Sequence, residues 1–223
     1  MAVTQHPRVT VVGLLKGGVG KTRLAMLAAL YLNSLGRRVY VIDGDTVSQT
    51  AYDWQRDAKA DKQIGEKGWT IKVVRHPFED IGEHIAEVAA SGEYDEIVAD
   101  IGGGNRSVLE AALTQAHRFI APVGADPSET RKVAGTWKSA RAAAAESAVG
   151  GFEAYVVLSR TDHATTLPGE ARAQLIEAGL PLCDTELRKR VAYQRAYAKV
   201  PTDFLDVPDL LQELGMVKDG AVI

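Results

Sequence analysis

Short apolar runs recur along the chain, separated by stretches whose apolar positions follow a helical period. The runs are Val9 to Leu15, Arg38 to Ile42, Trp69 to Val74, Glu96 to Ile101, Phe119 to Val123 and Tyr155 to Leu158. They are rich in Val and Ile and mostly apolar at successive positions, so each predicts a strand covered on both faces. The stretches between them predict helices over Lys21 to Leu35, Pro77 to Ala90, Arg106 to Ala116, Pro127 to Ser147, Pro168 to Ala178 and Arg188 to Val200. Gly36 and Gly179 fall where a helix would stop, and Pro127 and Pro168 fall near helix starts, where a missing N–H is harmless. The Ala142 to Ala145 run reads as helix, since alanine is the best helix former. Alternating strands and helices predict an α/β fold, a doubly wound and mostly parallel sheet with helices on both faces. No internal repeat and no long linker interrupts it, and residues 1–223 are expected to form a single domain. So few residues precede the first strand that no amino-terminal helix-turn-helix domain is expected.

Composition narrows the function classes. With 223 residues, 46% of them hydrophobic and 25% charged, the chain can bury one sizeable core. A net charge of −3 argues against coating nucleic acid through a global field, so any such contact requires a local patch. The lone Cys183 can form no internal disulfide and cannot supply paired thiolates to a metal cluster. No signal core is visible, and no apolar run approaches the roughly 18 residues of a membrane span. A cytoplasmic protein with no membrane partner is expected.

The first strand runs into Lys16-Gly-Gly-Val-Gly-Lys-Thr22, with a predicted helix behind it. Gly13 and the Gly20-Lys21-Thr22 triplet frame a gap longer than that of the ordinary phosphate-binding loop, which makes this a deviant form of the motif. Gly17, Gly18 and Gly20 let the backbone curl so that successive N–H groups, that of Val19 among them, converge on a phosphate. Lys21 adds a point charge, Thr22 a hydroxyl for Mg²⁺, and Arg23 stands next in the helix whose N-terminus is itself partly positive. A glycine-rich turn without function is the alternative, and the Lys-Thr pair after the last glycine argues against it. Lys16 begins the loop instead of ending it, and a solvated loop lysine is its plain reading.

Acids sit at two strand ends, where ligands bind in such sheets. Val39 to Ile42 leads into Asp43-Gly-Asp45, and Glu96 to Ala99 leads into Asp100. An apolar strand ending in an aspartate beside a phosphate loop suits a carboxylate that holds the Mg²⁺ shell, the role expected of Asp100. Turn-forming acids are the alternative at each place.

The Lys16 loop, the Asp43/Asp45 pair and Asp100 together resemble the ParA/MinD group of deviant-Walker ATPases, in particular the small ParA-type partition ATPases. The resemblance runs from the first strand to at least Tyr193 and includes, less specifically, Thr185-Glu-Leu-Arg188. It implies ATP and Mg²⁺ as cofactors, with Lys16 reaching across an ATP-dependent homodimer to the partner's phosphates. It also implies that Asp45 orients the attacking water and that Asp43 supports the metal's outer shell. Members bind DNA without sequence preference and move plasmids, chromosomes or protein cargos over the nucleoid, stimulated by a centromere-binding, ParB-like protein. Three departures stand out: Thr46-Val47 where Pro-Gln is frequent, Gly102-Gly103-Gly104 where a Pro-Pro switch is frequent, and Arg23 where Thr or Ser is common. Triple glycine implies a looser switch.

A MinD-like membrane switch would need a basic amphipathic carboxy-terminal helix, but Asp206 to Ile223 sets Asp206, Asp209, Glu213 and Asp219 against a lone Lys218. The same engine with a protein or conjugative cargo is a second alternative, and an amide-forming synthetase a third, for which no substrate-binding residues are identifiable. Ser159-Arg-Thr-Asp162 lies where such folds often meet the base, with Asp162 a weak pointer to guanine. Leu187 to Pro201 carries Arg188, Lys189, Arg190, Arg195 and Lys199 and no acid. On a helix, Arg188, Arg195 and Lys199 would share one stripe opposite Tyr193, Tyr197 and Val200. That stripe is the expected DNA-binding surface, with Arg131, Lys138 and Arg141 as the next candidates; a merely solvated face is the plainer alternative.

Overall fold

The computed structural model describes residues 6–218. Seven strands form one sheet: β1 (Arg8–Gly13), β2 (Val39–Asp43), β3 (Lys72–Arg75), β4 (Glu96–Ile101), β5 (Arg118–Val123), β6 (Glu153–Thr161) and β7 (Leu187–Arg188), in the order β3-β2-β4-β1-β5-β6-β7. Every pairing is parallel. The helices are α1 (Lys21–Ser34), α2 (Thr50–Ala60), α3 (Gly65–Gly68), α4 (Ile81–Ala90), α5 (Arg106–Leu113), α6 (Pro127–Ala145), α7 (Leu167–Glu177), α8 (Val191–Arg195) and α9 (Val207–Glu213).

The continuous burial of the inner strands has a simple cause. One core layer gathers Leu24 to Leu32 of α1, Trp54 of α2, Val207 to Leu211 of the α9 segment, and Val41 and Val98 from the sheet. The opposite layer gathers Ile81 and Ile85 of α4, Leu109 of α5, Val133 and Trp137 of α6, and Ile42, Ile97 and Phe119 from the sheet. Each of β1, β2, β4 and β5 therefore buries both of its side-chain rows, which is why period-2 alternation is absent from these segments of the sequence. At the β3 edge the Gln55 amide takes over a strand's role: its oxygen accepts from Val73 N at 2.9 Å and its nitrogen donates to Val73 O at 2.9 Å. The edge thus presents fewer open groups to another chain.

Two predicted helices differ from the observed ones, and α2 is observed without having been predicted. The helix expected from Pro77 begins at Ile81, because residues 76–80 turn around the Ile81 N to Phe78 O bond. The segment expected as one helix from Arg188 to Val200 is a strand, a short helix and a turn. Leu187 and Arg188 pair with β6, Arg190 is extended, α8 covers Val191–Arg195, and Ala198 takes a left-handed φ of 54° that ends any helical course. Strand pairing therefore overrides the helical spacing. α2 escapes the sequence reading because its buried stripe is only Ala51, Trp54 and Ala58. Asp219 to Ile223 of the acidic carboxy-terminal stretch lie outside the described residues. Among the described residues no helix is long and apolar enough to cross a membrane.

Phe119 of β5 is fully buried beside β1, its ring edge in contact distance of the space over Gly13 that Leu109 fills, and it packs on Trp137 and Phe152. Phe119→Ala is expected to cost about 3–5 kcal/mol through the cavity it leaves. A urea titration would show the midpoint falling without a change in slope.

Candidate functional site

β1 delivers the chain into the loop of residues 14–20, which is held open from several sides. Leu15 N donates to Thr136 Oγ1 of α6 at 3.1 Å, Ser159 Oγ of β6 donates to Val19 O at 2.8 Å, and Lys21 Nζ donates to Lys16 O at 2.7 Å. Gly18 and Gly20 take φ of 78° and 90°, the left-handed region where a Cβ is strained. Gly20 is also the N-cap of α1, and the helix has neither a side-chain cap nor an acid in its first turn. Its leading N–H groups are consequently offered to an external acceptor, the arrangement that favours an anion.

Lys21 is buried, and burial lowers its pKa, with the carboxylates of Asp100 and Asp45 pulling the other way. Asp100 is 1% exposed, and neither of its carboxylate oxygens has a hydrogen-bond partner of normal geometry. Burial pushes its pKa up to about 7; the nearby Thr22 hydroxyl and Lys21 oppose that rise, and Asp43 and Asp45 add to it. Orphaned buried oxygens beside a hydroxyl suit a hard divalent cation, which takes oxygen ligands. Among the described residues no group of three or more His, Cys, Asp or Glu is arranged to hold a metal. A cation here would draw further ligands from phosphate and water.

The paired acids differ in their surroundings. Asp43 is fully buried, but its oxygens accept from Asp45 N at 3.2 Å and Tyr52 N at 2.9 Å, pinning the first turn of α2 to the end of β2. Those bonds lower a pKa that burial raises more strongly. Its carboxylate is thus engaged by two backbone N–H groups. Asp45 lies in the cavity wall beside Lys21 and Thr22. Burial pushes its pKa up, but bonds from Ser48 and Val47 N–H and the Ser48 hydroxyl, with the charge of Lys21, bring the net shift below the ordinary value.

The glycine run after β4 has a steric reason. A Cβ on Gly102 would sit 2.5 Å from Asp45 Cγ, and one on Gly103 would sit 2.7 Å from Gly17 N. Gly102 and Gly103 thus let the β4 loop press against the phosphate loop and Asp45.

Lys16 lies against α6, its Nζ 3.2 Å from Ser128 Oγ and 3.3 Å from Glu129 Oε1. Glu129 also accepts from Gly124 N at 2.8 Å and from Arg160 Nη2 at 2.7 Å. Gly124 has no Cβ because the Glu129–Arg160 pair occupies that space. Two cavities flank the loop. One of about 600 Å³ is walled by Gly17, Lys21, Thr22, Asp45, Gly103 and Trp54. The other, of about 420 Å³, runs past Gly20 toward Asp162, Leu167, Arg188 and Tyr193. Glu129 and Trp54 were not identifiable from sequence, where no motif marks them, whereas Arg160 falls within the Ser159 to Asp162 segment expected near the base.

The expected basic stripe does not form. Arg188 is in β7, Arg195 at the end of α8 and Lys199 in the following turn, so they share no helical face. Acids from distant segments also answer this stretch: Lys189 pairs with Asp162 at 3.4 Å, Arg190 with Asp206 at 2.7 Å and Lys199 with Asp61 at 2.6 Å. Tyr193 is buried, whereas Tyr197 is 37% and Val200 43% exposed. Tyr197 instead packs on Trp54 and donates to Asp57 at 2.9 Å.

A parallel α/β sheet with a glycine-rich loop opening α1, and acids at the ends of the neighbouring strands, defines a phosphate-loop nucleotide-binding protein. The model of the CobQ/CobB/MinD/ParA nucleotide binding domain matches residues 10–200, and the chain belongs to that family. Among solved structures, cobyrinic acid a,c-diamide synthase from Mycobacterium smegmatis with bound ADP and magnesium superposes with a TM-score of 0.71 at 16% identity, covering 94% of this chain and 96% of that one. The McdA–ATP complex from Cyanothece gives 0.70 at 16% identity over 96% and 98% of the two chains. A putative plasmid partition protein from Borrelia burgdorferi B31 bound to AMPPNP gives 0.68 at 16% identity over 95% and 100%. At such identities the likeness is one of fold. Comparison with curated protein sequences gives no match.

Because folding raises the Asp100 pKa from 3.8 to about 7, the native state holds a proton that the unfolded chain has released, and stability falls as pH rises through that window. Asp100→Asn removes the penalty. The variant is expected to unfold at higher denaturant than wild type at pH 8, with the gap closing below pH 4. Chemical denaturation across pH checks this, and a constant gap would contradict it.

Proposed function

We propose that the chain is a Mg²⁺-dependent ATPase switch that dimerises on ATP, binds DNA without sequence preference and serves partition with a centromere-binding, ParB-like partner. The observation that carries the catalytic part is the convergence of Lys21, Thr22, Asp45 and Asp100 around one open loop with an uncapped helix behind it. ATP would place its phosphates against the N–H groups of residues 17–23, with Lys21 neutralising charge between them. The Thr22 hydroxyl and the Asp100 carboxylate would hold Mg²⁺, Asp100 through water; when bound, the ion neutralises charge building on the phosphates. Asp45, ionised and at the cavity wall, would orient the attacking water once Ser48 and Val47 release it. Lys16, tethered by Ser128 and Glu129 in its own subunit, would exchange that contact for the phosphates of the partner.

The DNA surface rests on the cations that acids do not answer. Arg188 and Arg195 are exposed and have no ion pair among the described residues, and the same holds for Arg131, Lys132, Lys138 and Arg141 of α6. An amide-forming ligase of the same family is the second reading, supported by the likeness to the diamide synthase. Turnover stimulated by DNA and the partner protein favours partition, whereas turnover only with an acid and an amine favours the ligase.

Lys21→Ala is expected to abolish nucleotide binding, Lys16→Ala to spare binding but eliminate ATP-dependent dimers and hydrolysis, and Asp45→Ala to bind and dimerise while hydrolysing slowly. Titration with a non-hydrolysable analogue, sedimentation and phosphate release separate the three outcomes. Wild-type turnover in Asp45→Ala would move the water-positioning role elsewhere.

Reversing Arg188 and Arg195 to Glu, and separately Arg131, Lys138 and Arg141, should weaken DNA binding with ATP and flatten its salt dependence by about one phosphate contact per charge removed. Gel-shift titrations at several salt concentrations read both. Full binding by both variants would refute this surface.

A further inference from the structure

The two cavities beside the phosphate loop have three residues in common: Gly20, Arg23 and Arg160. These residues form the passage between the cavities. A nucleotide with its β- and γ-phosphates at Lys21 and its base toward Asp162 has to thread its sugar and α-phosphate through that passage. This inference rests on the nucleotide reading above.

Arg23 has no ion pair among the described residues, and its Nε is buried without a hydrogen-bond partner. Arg160 is the extra residue of a bulge in β6: Ser159 pairs with Leu187 and Thr161 with Arg188, while Arg160 takes a left-handed φ of 57°. A bulge re-aims one side chain, and a non-glycine residue held at positive φ is strain concentrated at a point of use. Ser159 and Thr161 are buried beside an exposed Arg160, whose guanidinium is fixed by Glu129 at 2.7 Å and is 42% exposed. The charge of Arg160 is shared with Glu129, which also serves Lys16; Arg23 has no carboxylate of its own. An anion between the two guanidiniums would satisfy the orphaned N–H of Arg23.

We infer that Arg23 and Arg160 form an α-phosphate clamp, so that this chain grips nucleotides at the first phosphate as well as at the loop. Arginine suits that position because its planar fork matches phosphate oxygens and it stays charged when partly buried. A clamp on the first phosphate gives nucleoside monophosphates and diphosphates a share of the affinity and leaves the free nucleoside without it. Arg23 thereby becomes a specificity residue for the 5′-phosphate, and product nucleotide is retained after the terminal phosphate leaves.

The test is calorimetric titration of wild type, Arg23→Met, Arg23→Lys and Arg160→Met with adenosine, AMP, ADP and ATP in the presence of Mg²⁺. Wild type should bind AMP at least tenfold more tightly than adenosine. Arg23→Met should erase that preference and weaken ADP at least tenfold while leaving adenosine unchanged, and Arg23→Lys should keep part of it. Arg160→Met should reduce the same preference. AMP and ADP affinities within twofold of wild type in Arg23→Met, or an equal loss for adenosine, would overturn the clamp and leave the nucleotide site standing. Failure of wild type to bind ADP or ATP would overturn the nucleotide reading itself. Equal retention in Arg23→Lys and Arg23→Met would show that charge at position 23 plays no part.

Discussion

The site is built around unmet electrostatic demand. The first turn of α1 has no side-chain cap, Asp100 buries two carboxylate oxygens without a hydrogen-bond partner of normal geometry, and Arg23 buries a donor without an acceptor. These groups are held in place by β1, β4 and β5, which are packed on both faces by apolar side chains. Taken singly, each unmet group would be a defect that costs stability. Together they describe the complement of a phosphate chain with a divalent cation, and binding one satisfies all of them at once. The same logic explains the pH dependence expected of Asp100, whose raised pKa reflects a charge held ready for a counterion that folding alone does not provide.

Around that centre, the contacts that brace the loop also connect it to the rest of the molecule. Thr136 and Ser159 hold the loop from α6 and β6, and Glu129 joins Lys16 to Arg160. Gly102 and Gly103 bring the end of β4 against the loop and against Asp45. On the other side, Trp54 of α2 packs on Tyr197, and Lys199 pairs with Asp61, so the element that follows Asp45 is welded to the basic carboxy-terminal segment. A change at Asp45 has a short physical route to residues 195–199.

Much of this was legible in the sequence. The doubly wound sheet followed from Val- and Ile-rich runs with no alternation, and the phosphate loop from Lys16 to Thr22, because backbone curl and charge placement leave a local signature. Asp100 was legible as the acid ending an apolar strand. What the sequence hid depends on contacts made at long range. The bonds that the N–H groups of Asp45 and Tyr52 donate to Asp43 were not legible, since they exist only once β2 and α2 are in place. Residues 188–199 looked like a basic helix because helical spacing is local, whereas strand pairing of Leu187 and Arg188 with β6 and the acids Asp61, Asp162 and Asp206 come from afar. The pairing of Glu129 with Arg160 was not legible either, since it exists only once α6 and β6 are side by side.

The central claim is that the incomplete site is completed by a nucleoside triphosphate with Mg²⁺. Amide hydrogen exchange with and without a Mg²⁺-bound non-hydrolysable ATP analogue tests it most directly, because the claim concerns particular backbone donors. The account predicts strong new protection across residues 17–23, accompanied by protection at residues 45–48 and 101–104. Unchanged exchange across residues 17–23, with the analogue bound and protection appearing elsewhere, would contradict it.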